Sequence, residues 1–198
     1  MSKTLVLFDF DGTLTKSDTF PQFIFFSQGY FKGIMGFIIF SPLIFLFFIK
    51  VLSGDTLKEK MISFYFMGQS KDVLRAKGES FIQNLIKLEE FNTSLIQKLA
   101  KAKMEGSDVC IVSASLDIWI EPFCKKHGIE YLCTELNFIN GISTGKLETP
   151  NCNRAEKAVR IKQKYNLSDY SKIIAYGNSS GDKAMFDLAN ETHLVKNG

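Results

Sequence analysis

The strongest constraint on this chain lies near its start, where the apolar run LVLF of residues 5–8 ends in Asp9 and Asp11. An apolar run of this length before a turn predicts a strand that is buried on both faces. Side chains alternate along a strand, so Asp9 and Asp11 point to the same side. Two carboxylates held together repel each other unless a cation lies between them. The segment therefore predicts a cation site where a buried strand ends.

Later segments repeat the strand pattern. Apolar runs at residues 108–115, 129–134 and 172–178 read as strands, and helical patterns separate them. Residues 136–147 alternate around an Asn-Gly pair, which predicts a hairpin. Strands that alternate with helices predict an α/β fold with a Rossmann-like, three-layer core around a parallel sheet. Ligand sites in such sheets form beyond the carboxyl ends of the strands, so the polar residues there are the candidates for function.

The interval from residue 18 to residue 89 breaks this rhythm. It reads as mostly helical, and 14 of the 19 phenylalanines fall between Phe20 and Phe91. A dense apolar insertion directly after the first strand predicts a helical cap over the edge of the sheet. We therefore expect a catalytic core formed by residues 1–17 and 90–198, and a Phe-rich cap formed by residues 18–89.

Polar residues follow several strands at the edge where Asp9 and Asp11 lie. Ser113 and Ser115 end the second strand, the segment GNSSGD at 177–182 follows the fourth, and Lys157 begins the helix before it. Each of these is common alone, as a helix cap, a turn or a solvated lysine. Together they place hydroxyls, an amide, carboxylates and an ammonium group at one edge of one sheet. That set suits phosphoryl transfer.

Mg²⁺ is the cation that this set favours, because it prefers hard oxygen ligands at roughly 2.0–2.1 Å and binds through one or two carboxylates plus substrate oxygens. Asp9 then offers an oxygen as nucleophile, and an aspartyl-phosphate divides one hard displacement into two easier ones. Asp11 is close enough to protonate the leaving oxygen and later to deprotonate water. We expect Ser113, the amides after it and Lys157 to hold the phosphoryl oxygens.

The order and type of these residues resemble the four motifs of the haloacid dehalogenase superfamily of phosphohydrolases. The matching positions are DxDGT at 9–13, Ser113, Lys157 and the acidic motif at 177–182, which span nearly the whole chain. A helical, C1-type cap directly after the first motif resembles the subgroup that contains the phosphoserine phosphatases. The segments FDFDGTLTKSDTF and RAEK, with the long apolar cap segment, are most similar to phosphatidylglycerophosphatase C-like proteins.

The resemblance implies a role for each matching residue. Asp9 is the expected nucleophile, and Asp11 is the expected acid/base with its backbone carbonyl on the metal. The residues expected at the substrate phosphate are Gly12, Thr13, Ser113, Ala114 and Lys157, and the expected metal ligands are Asp9, Asp11, Asn178 and Asp182. Many relatives carry an aspartate where this chain has Asn178. An amide oxygen brings no charge, so we expect activity with a higher Mg²⁺ requirement.

Asp18 has two interpretations. It occupies the place of a cap glutamate that meets the substrate amine in phosphoserine phosphatases, as the resemblance implies. It also fits the N-cap position of the first cap helix, and this second interpretation is favoured.

An uncharged segment runs from Ile34 to Ile49 inside the predicted cap. At 1.5 Å per residue its 16 residues reach about 24 Å, short of the roughly 30 Å hydrocarbon core. A single span is also excluded if the strands on either side of it share one sheet. Three interpretations stay open: a helical hairpin bent near Ser41-Pro42 that dips into one leaflet, a homodimer surface, or the buried core of the cap.

Monotopic membrane contact is the favoured interpretation of this segment. Its apolar residues face every side, which exceeds what a small cap buries. The lysines at positions 32, 50, 58 and 60 suit an anionic lipid surface. We then expect Met35, Phe37 and Phe40 to contact acyl chains.

Composition narrows the function further. A net charge of +3 without a basic stripe argues against nucleic acid as a partner. Met1 leads straight into the first strand, so we expect no cleavable signal and a cytoplasmic protein, at the inner face of the cytoplasmic membrane if the cap meets lipid.

The sequence favours a Mg²⁺-dependent phosphomonoesterase acting on a phosphorylated lipid headgroup such as phosphatidylglycerophosphate. The main alternative is a soluble phosphatase of the phosphoserine phosphatase kind, for which the cap offers a single arginine, Arg75. A non-enzymatic lipid-binding relative and a phosphoacceptor signalling module are the remaining alternatives.

Overall fold

Seven strands lie within residues 3–196, the part of the chain that the computed structural model describes. In chain order they are β1 (Lys3–Phe8), β2 (Asp108–Leu116), β3 (Glu130–Thr134), β4 (Leu136–Ile139), β5 (Ile142–Leu147), β6 (Tyr170–Gly177) and β7 (Glu191–Leu194). Five of them form one parallel sheet in the order β3-β2-β1-β6-β7, and β4 pairs with β5 as an antiparallel hairpin. The strand order reverses beside β1, and ligand crevices in α/β sheets form at such a point. The predicted parallel α/β core is confirmed.

Helices cover both faces of this sheet. They are α1 (Thr19–Phe48), α2 (Gly54–Phe66), α3 (Lys71–Lys87), α4 (Thr93–Met104), α5 (Asp117–His127), α6 (Ala155–Lys164) and α7 (Lys183–Phe186). Along β1, Val6 and Phe8 belong to the larger apolar cluster, whereas Leu5 and Leu7 belong to the smaller one on the opposite face. The two-residue period of a strand produces this alternation. The run LVLF is apolar throughout because each of its residues faces one of two buried layers.

The hairpin between β4 and β5 turns where the sequence predicts it. Asn140 and Gly141 both have positive φ, 49° and 77°, as the tight turns favoured by hairpins require. The hairpin lies against the start of α3 and the end of α2: Ile142 forms a bridge with Ser70, and a Cβ on Gly145 would lie 2.9 Å from the Cα of Ser63. The hairpin therefore braces the helices that follow β1.

Three helices, α1 to α3, lie between β1 and α4. α3 packs tightly on α5, since a Cβ added to Gly78 would lie 1.9 Å from the backbone oxygen of Ile118. The structure thus places a helical insertion where the sequence predicts a cap. The division into a core of residues 1–17 and 90–198 and a cap of residues 18–89 stays a prediction.

α1 bends at Gly29, where φ is 79° and ψ is 162°. Glycine reaches this conformation without the steric cost that a side chain would add. Pro42 lies inside the second stretch of the helix, which continues to Phe48. The expected hairpin bent near Ser41-Pro42 is therefore wrong, because α1 bends at Gly29 instead. Pro42 removes one backbone hydrogen-bond donor, but the helix continues past it.

By length and composition, α1 is able to cross a membrane. β1 precedes it, however, and β2, β3, β6 and β7 of the same sheet follow it. A single crossing would place strands of one sheet on opposite sides of the bilayer. The sheet therefore excludes that topology.

The expected acyl-chain contact is wrong for Phe40 and stays a prediction for Met35 and Phe37. Phe40 is buried and meets Phe64 edge-on, with ring centroids 5.5 Å apart. Phe37 is partly buried and stacks on Phe25 at 5.4 Å. Met35 is exposed. The burial follows from helical geometry, because Phe37 and Phe40 lie one turn apart on the side of α1 that faces the protein.

Candidate active site

Asp9, Lys157 and Asp182 form a buried charged cluster at the carboxyl edge of the sheet. Lys157 Nζ lies 2.6 Å from Asp9 Oδ1 and 2.6 Å from Asp182 Oδ1. Each of the three residues is at most 6% exposed. β1 delivers Asp9, whose backbone N–H donates to the Tyr176 carbonyl at 2.8 Å, and the first turn of α6 delivers Lys157. One cation between two carboxylates removes the repulsion that their burial would otherwise create.

The loop after β6 shapes the position of Asp182. Asp182 Oδ2 accepts hydrogen bonds from the backbone N–H groups of Asn178 at 3.1 Å and Ser179 at 3.0 Å, and from Ser179 Oγ at 3.2 Å. Gly177 permits this close approach, since a Cβ there would lie 2.6 Å from Asp182 Cγ. Both carboxylate oxygens of Asp182 are thus engaged by the protein.

Asp11 faces the start of α1. The chain turns after it through Gly12, whose φ is 66°. Asp11 Oδ1 accepts from Thr19 N at 2.8 Å and from Thr19 Oγ1 at 2.5 Å, and its Oδ2 accepts from Ser115 Oγ. Trp119 Nε1 in turn donates to Thr19 Oγ1 at 3.0 Å. The orientation of the Asp11 carboxylate is therefore fixed by β2, α5 and α1 together.

The pKa values of these groups depart from their ordinary range. Burial raises the pKa of Asp9 to about 6, although Lys157 opposes the rise and Asp182 adds to it. Burial also raises the pKa of Asp11, with a further contribution from Asp18, while hydrogen bonds from Ser115 and Thr19 oppose the shift. For Lys157, burial acts against the charge, but Asp9 and Asp182 outweigh it and raise the pKa. Lys157 is therefore a permanent cation at the site.

A cavity of about 400 Å³ opens over this cluster. The predicted site residues on its wall are Asp9, Asp11, Asp18, Ala114, Lys157, Asn178 and Asp182. The other three predicted site residues, Gly12, Thr13 and Ser113, lie behind that wall. Gly12 is in the turn after Asp11, and Thr13 Oγ1 donates a hydrogen bond to Asp9 Oδ2 at 3.1 Å. Ser113 is fully buried, and its Oγ accepts from Ser115 N at 2.9 Å.

Lys58, on α2, is the main residue that the sequence interpretation misplaced. Its Nζ donates to the Ala114 carbonyl and to Asn151 Oδ1, the latter at 2.9 Å. Burial lowers its pKa, against the attraction of Asp11, Asp18 and Asp55. The expectation that Lys58 flanks a lipid surface is wrong, because the side chain points into the cavity. No spacing signal separates it from Lys60, which is exposed two residues later.

Three polar residues that the sequence did not assign to the site lie together on the cavity wall: Asn151, Asn153 and Arg154. They belong to the loop between β5 and α6. Asn151 joins the two sides of the cavity, since its Nδ2 donates to Asp55 Oδ1 at 2.5 Å and its Oδ1 accepts from Thr134 Oγ1 at 2.9 Å. Asparagines in a loop carry no motif that distinguishes a ligand from a turn residue.

Asp18 is an N-cap, as the favoured interpretation predicted. Its Oδ1 accepts from Phe20 N at 2.9 Å, which satisfies a backbone donor at the start of α1. Asp18 is exposed and also lines the cavity, so a substrate contact stays a prediction.

The donor set fits a magnesium ion, although not through a cluster of side-chain charges. Within residues 3–196, no three His, Cys, Asp or Glu side chains are grouped to hold a metal. The oxygens of Asp9, Asp11 and Asn178 do line one cavity, and hard oxygen donors of this kind are those that Mg²⁺ takes, with water and substrate completing the shell. The four predicted ligands, Asp9, Asp11, Asn178 and Asp182, stay predictions, and both carboxylate oxygens of each aspartate also accept hydrogen bonds from the protein.

Comparisons with known proteins identify the family. The sequence pattern of the haloacid dehalogenase-like hydrolases matches residues 6–187. Protein CicA of Caulobacter vibrioides is 30% identical over 194 residues, which cover 94% of this chain and 83% of that protein.

Solved structures share the fold. A protein of unknown function from Bordetella pertussis Tohama I has a TM-score of 0.84 at 20% identity, covering 97% of this chain and 89% of that one. A phospho-aspartyl intermediate analogue of phosphoserine phosphatase has a TM-score of 0.63 at 19% identity, covering 97% and 86%. Hydrolases of this family generally use Mg²⁺. The chain belongs to the haloacid dehalogenase-like hydrolases and is an enzyme of that family.

Proposed function

We propose that this enzyme is a Mg²⁺-dependent phosphomonoesterase that works through an aspartyl-phosphate on Asp9. Its proposed substrate is the phosphorylated headgroup of a lipid such as phosphatidylglycerophosphate. The observation that carries the chemistry is a buried carboxylate, Asp9, that lines a cavity of about 400 Å³ beside the ammonium group of Lys157 and the second carboxylate, Asp11. The shared fold with a phosphoserine phosphatase captured as a phospho-aspartyl analogue supports it.

Asp9 acts as the nucleophile. A pKa of about 6 leaves its carboxylate ionised at neutral pH, as attack on phosphorus requires. Thr13 and Lys157 each hold one of its oxygens, which fixes the carboxylate for attack. As one Asp9 oxygen bonds to phosphorus, the bond between phosphorus and the headgroup oxygen breaks.

Asp11 moves the protons. It gives one to the departing headgroup oxygen and later takes one from the water that attacks the aspartyl-phosphate. That attack releases inorganic phosphate and restores Asp9. The raised pKa of Asp11 favours the protonated form that the first step needs, and the bonds from Thr19 and Ser115 aim the group.

Lys157 and the loop residues balance the charge of the phosphoryl oxygens. Lys157 stays protonated because two carboxylates raise its pKa. Gly12, Thr13, Ser113 and Ala114 stay predicted phosphate contacts. Bound Mg²⁺, held by oxygens of Asp9, Asp11 and Asn178, would supply further positive charge to the phosphoryl group. Because Asn178 is neutral and Asp182 is engaged with Lys157, we expect a raised Mg²⁺ requirement.

The wall that the helices contribute favours a lipid substrate. Phe20, Phe47, Leu57 and Met61 line the cavity opposite the charged cluster, and Phe47 is also 40% exposed at the surface. Lys58 adds a cation that suits the phosphodiester of a phosphorylated phospholipid. We propose the inner face of the cytoplasmic membrane as the place of action.

A soluble substrate such as phosphoserine is the rival. Arg75, the helical-insertion arginine that would meet a substrate carboxylate, instead pairs with Glu121 at 3.0 Å. That pairing counts against phosphoserine. The remaining alternatives are a non-enzymatic lipid-binding protein and a phosphoacceptor module. Either would have the same acidic pocket, but neither would turn over a substrate.

The test is Mg²⁺-dependent phosphate release by the wild type and by Asp9→Asn. The substrates are phosphatidylglycerophosphate in mixed micelles, phosphatidic acid in mixed micelles, phosphoserine and an aryl phosphate. Release that is fastest from a micellar lipid and absent in Asp9→Asn supports the proposal. Preference for phosphoserine would replace the lipid by a soluble substrate, and no release at high Mg²⁺ would overturn the enzymatic assignment to phosphomonoesters.

A further inference from the structure

The second stretch of α1 exposes one continuous apolar stripe. The five residues Phe31, Ile34, Ile38, Phe45 and Phe48 are separated by three, four, seven and three positions, a spacing that places side chains on one side of a helix. Their exposed fractions are 84%, 51%, 66%, 63% and 74%. We call these five residues the outer face of α1. A stripe of large apolar groups in water marks an interaction surface.

The opposite side of the same stretch is packed against the protein. Tyr65 of α2 donates its hydroxyl to the Gly33 carbonyl at 2.9 Å, and Gly36 leaves no space for a side chain against Tyr65. Phe40 packs on Phe64. A helix fixed along one side in this way is able to lie in the plane of an interface with its other side in lipid. From residue 30 to residue 48 such a contact is about 28 Å long at 1.5 Å per residue.

The charges around the outer face select its partner. Between Asp18 and Asp55 the chain carries no acidic residue, and its two charged residues are Lys32 and Lys50, one near each end of the stripe. Lys77 of α3 lies close enough to Lys32 for the two cations to repel, and its Nζ donates to the Ser27 carbonyl at 2.8 Å. Lysines at both ends of an apolar stripe match an anionic bilayer, whose surface attracts basic groups.

The outer face is continuous with the active site. Phe47 lines the cavity and is partly exposed, and Phe48, its neighbour in the chain, belongs to the outer face. We propose that the outer face of α1 docks on an anionic bilayer and sets the cavity at headgroup level. Docking on the bilayer is inferred from the surface residues of α1 alone. Delivery of a lipid headgroup to Asp9 rests, in addition, on the proposed function.

The first test is flotation of the purified full chain with vesicles. One set contains phosphatidylcholine with phosphatidylglycerol, and the other phosphatidylcholine alone. The variant Phe31→Ser/Ile38→Ser/Phe48→Ser removes the stripe, and the matched control Met104→Ser/Val159→Ser/Leu194→Ser removes three exposed apolar side chains outside α1 to α3. We expect the wild type and the control to float with the anionic vesicles, and the outer-face variant to bind at least about tenfold more weakly.

The second test measures depth. Phe31→Trp places an indole on the outer face, and Met104→Trp places one on α4 as control; Trp119 is buried in both. Brominated lipids quench a tryptophan that enters the acyl region. Quenching of Phe31→Trp alone supports the docking, and equal quenching of the two variants overturns it.

Two outcomes overturn the docking and leave the chemistry in place. The wild type fails to bind anionic vesicles while it hydrolyses an aryl phosphate with Asp9, or it is a dimer in solution that the outer-face substitutions convert to a monomer. The converse result separates the two proposals: vesicle binding by the outer face with no phosphate release from any substrate supports the docking and overturns the proposed function. Circular dichroism of each variant confirms the fold.

Discussion

At the edge of the sheet three charged side chains are buried and each is paired, whereas the five large apolar side chains of the outer face of α1 are exposed. Lys157 lies 2.6 Å from carboxylate oxygens of both Asp9 and Asp182, so one buried cation is shared by two buried carboxylates. Phe31 and Phe48 of the outer face are 84% and 74% exposed. The charged cluster lines the cavity, whereas the outer face of α1 is exposed to solvent and borders the cavity through Phe47, the chain neighbour of Phe48.

The two regions differ in which of their groups remain available for interaction with other molecules. Buried ions are stable only when they are paired, and at the sheet edge Lys157 pairs with Asp9 and Asp182, the cluster that we propose acts on a phosphoryl group. The helical insertion leaves large apolar side chains in contact with water, which is unfavourable. We infer that the charged cluster performs the reaction and that the outer face of α1 determines where in the cell the enzyme binds.

The largest expected effect comes from the nucleophile. Asp9→Asn keeps the shape of the side chain and removes its nucleophilic oxygen, so phosphate release should fall by about a thousandfold or more. The measurement is kcat on an aryl phosphate. Asp169→Asn, an exposed carboxylate on the loop before β6, is the matched control and should retain wild-type kcat. Substantial turnover by Asp9→Asn would place the chemistry elsewhere.

Lys157→Met tests whether the charged cluster also holds the fold. The substitution leaves two buried carboxylates without their cation, and breaking a buried pair costs about 3–5 kcal/mol of unfolding free energy. Denaturant unfolding measures the loss, and kcat should fall with it. Lys172→Met is the control, because its pair with Glu191 is half exposed and such pairs contribute about 0–1 kcal/mol. Equal losses for the two lysines would contradict the pairing argument.

Gly36→Ala tests how α1 is held. An added Cβ would lie 1.9 Å from Tyr65 Oη, and overpacking of this kind costs about 1–3 kcal/mol. Thermal unfolding measures the change, with exposed Ser41→Ala on the same helix as control. Combining Gly36→Ala with Tyr65→Phe removes the nearest atom and should recover part of the loss. No recovery would mean that the contact with Tyr65 is not the cause.

Lys58→Met gives the smallest expected effect and links the two regions. Loss of this cation should raise KM for a micellar phospholipid phosphate by about tenfold, which corresponds to about 1.4 kcal/mol. The kcat on an aryl phosphate should change little, because Lys58 contacts Ala114 and Asn151 rather than Asp9. Lys60→Met, exposed on the same helix, is the control. A fall in kcat on both substrates would instead give Lys58 a part in the chemistry.

Local sequence patterns are enough to predict the sheet and the residues at its edge. LVLF followed by Asp9 and Asp11 predicts a central buried strand and a cation site, because strand periodicity and charge repulsion act locally. The alternation of strands and helices predicts the carboxyl edge at which Lys157 and Asp182 meet. The inferences about the strands and the edge succeed because a parallel sheet converts positions along the chain into positions in space, and the cation site stays a prediction.

Packing between helices, rather than local sequence, sets which apolar and basic side chains of the helical insertion face inward. Lys58 and Lys60 have the same local sequence signal, yet one enters the cavity and the other is exposed. Phe40 and Phe48 are equally apolar, yet only Phe48 reaches the surface. A helix that is apolar on all sides carries no pattern that identifies its buried side. Packing against α2 and the bend at Gly29 set that side, and both depend on contacts that local periodicity does not encode.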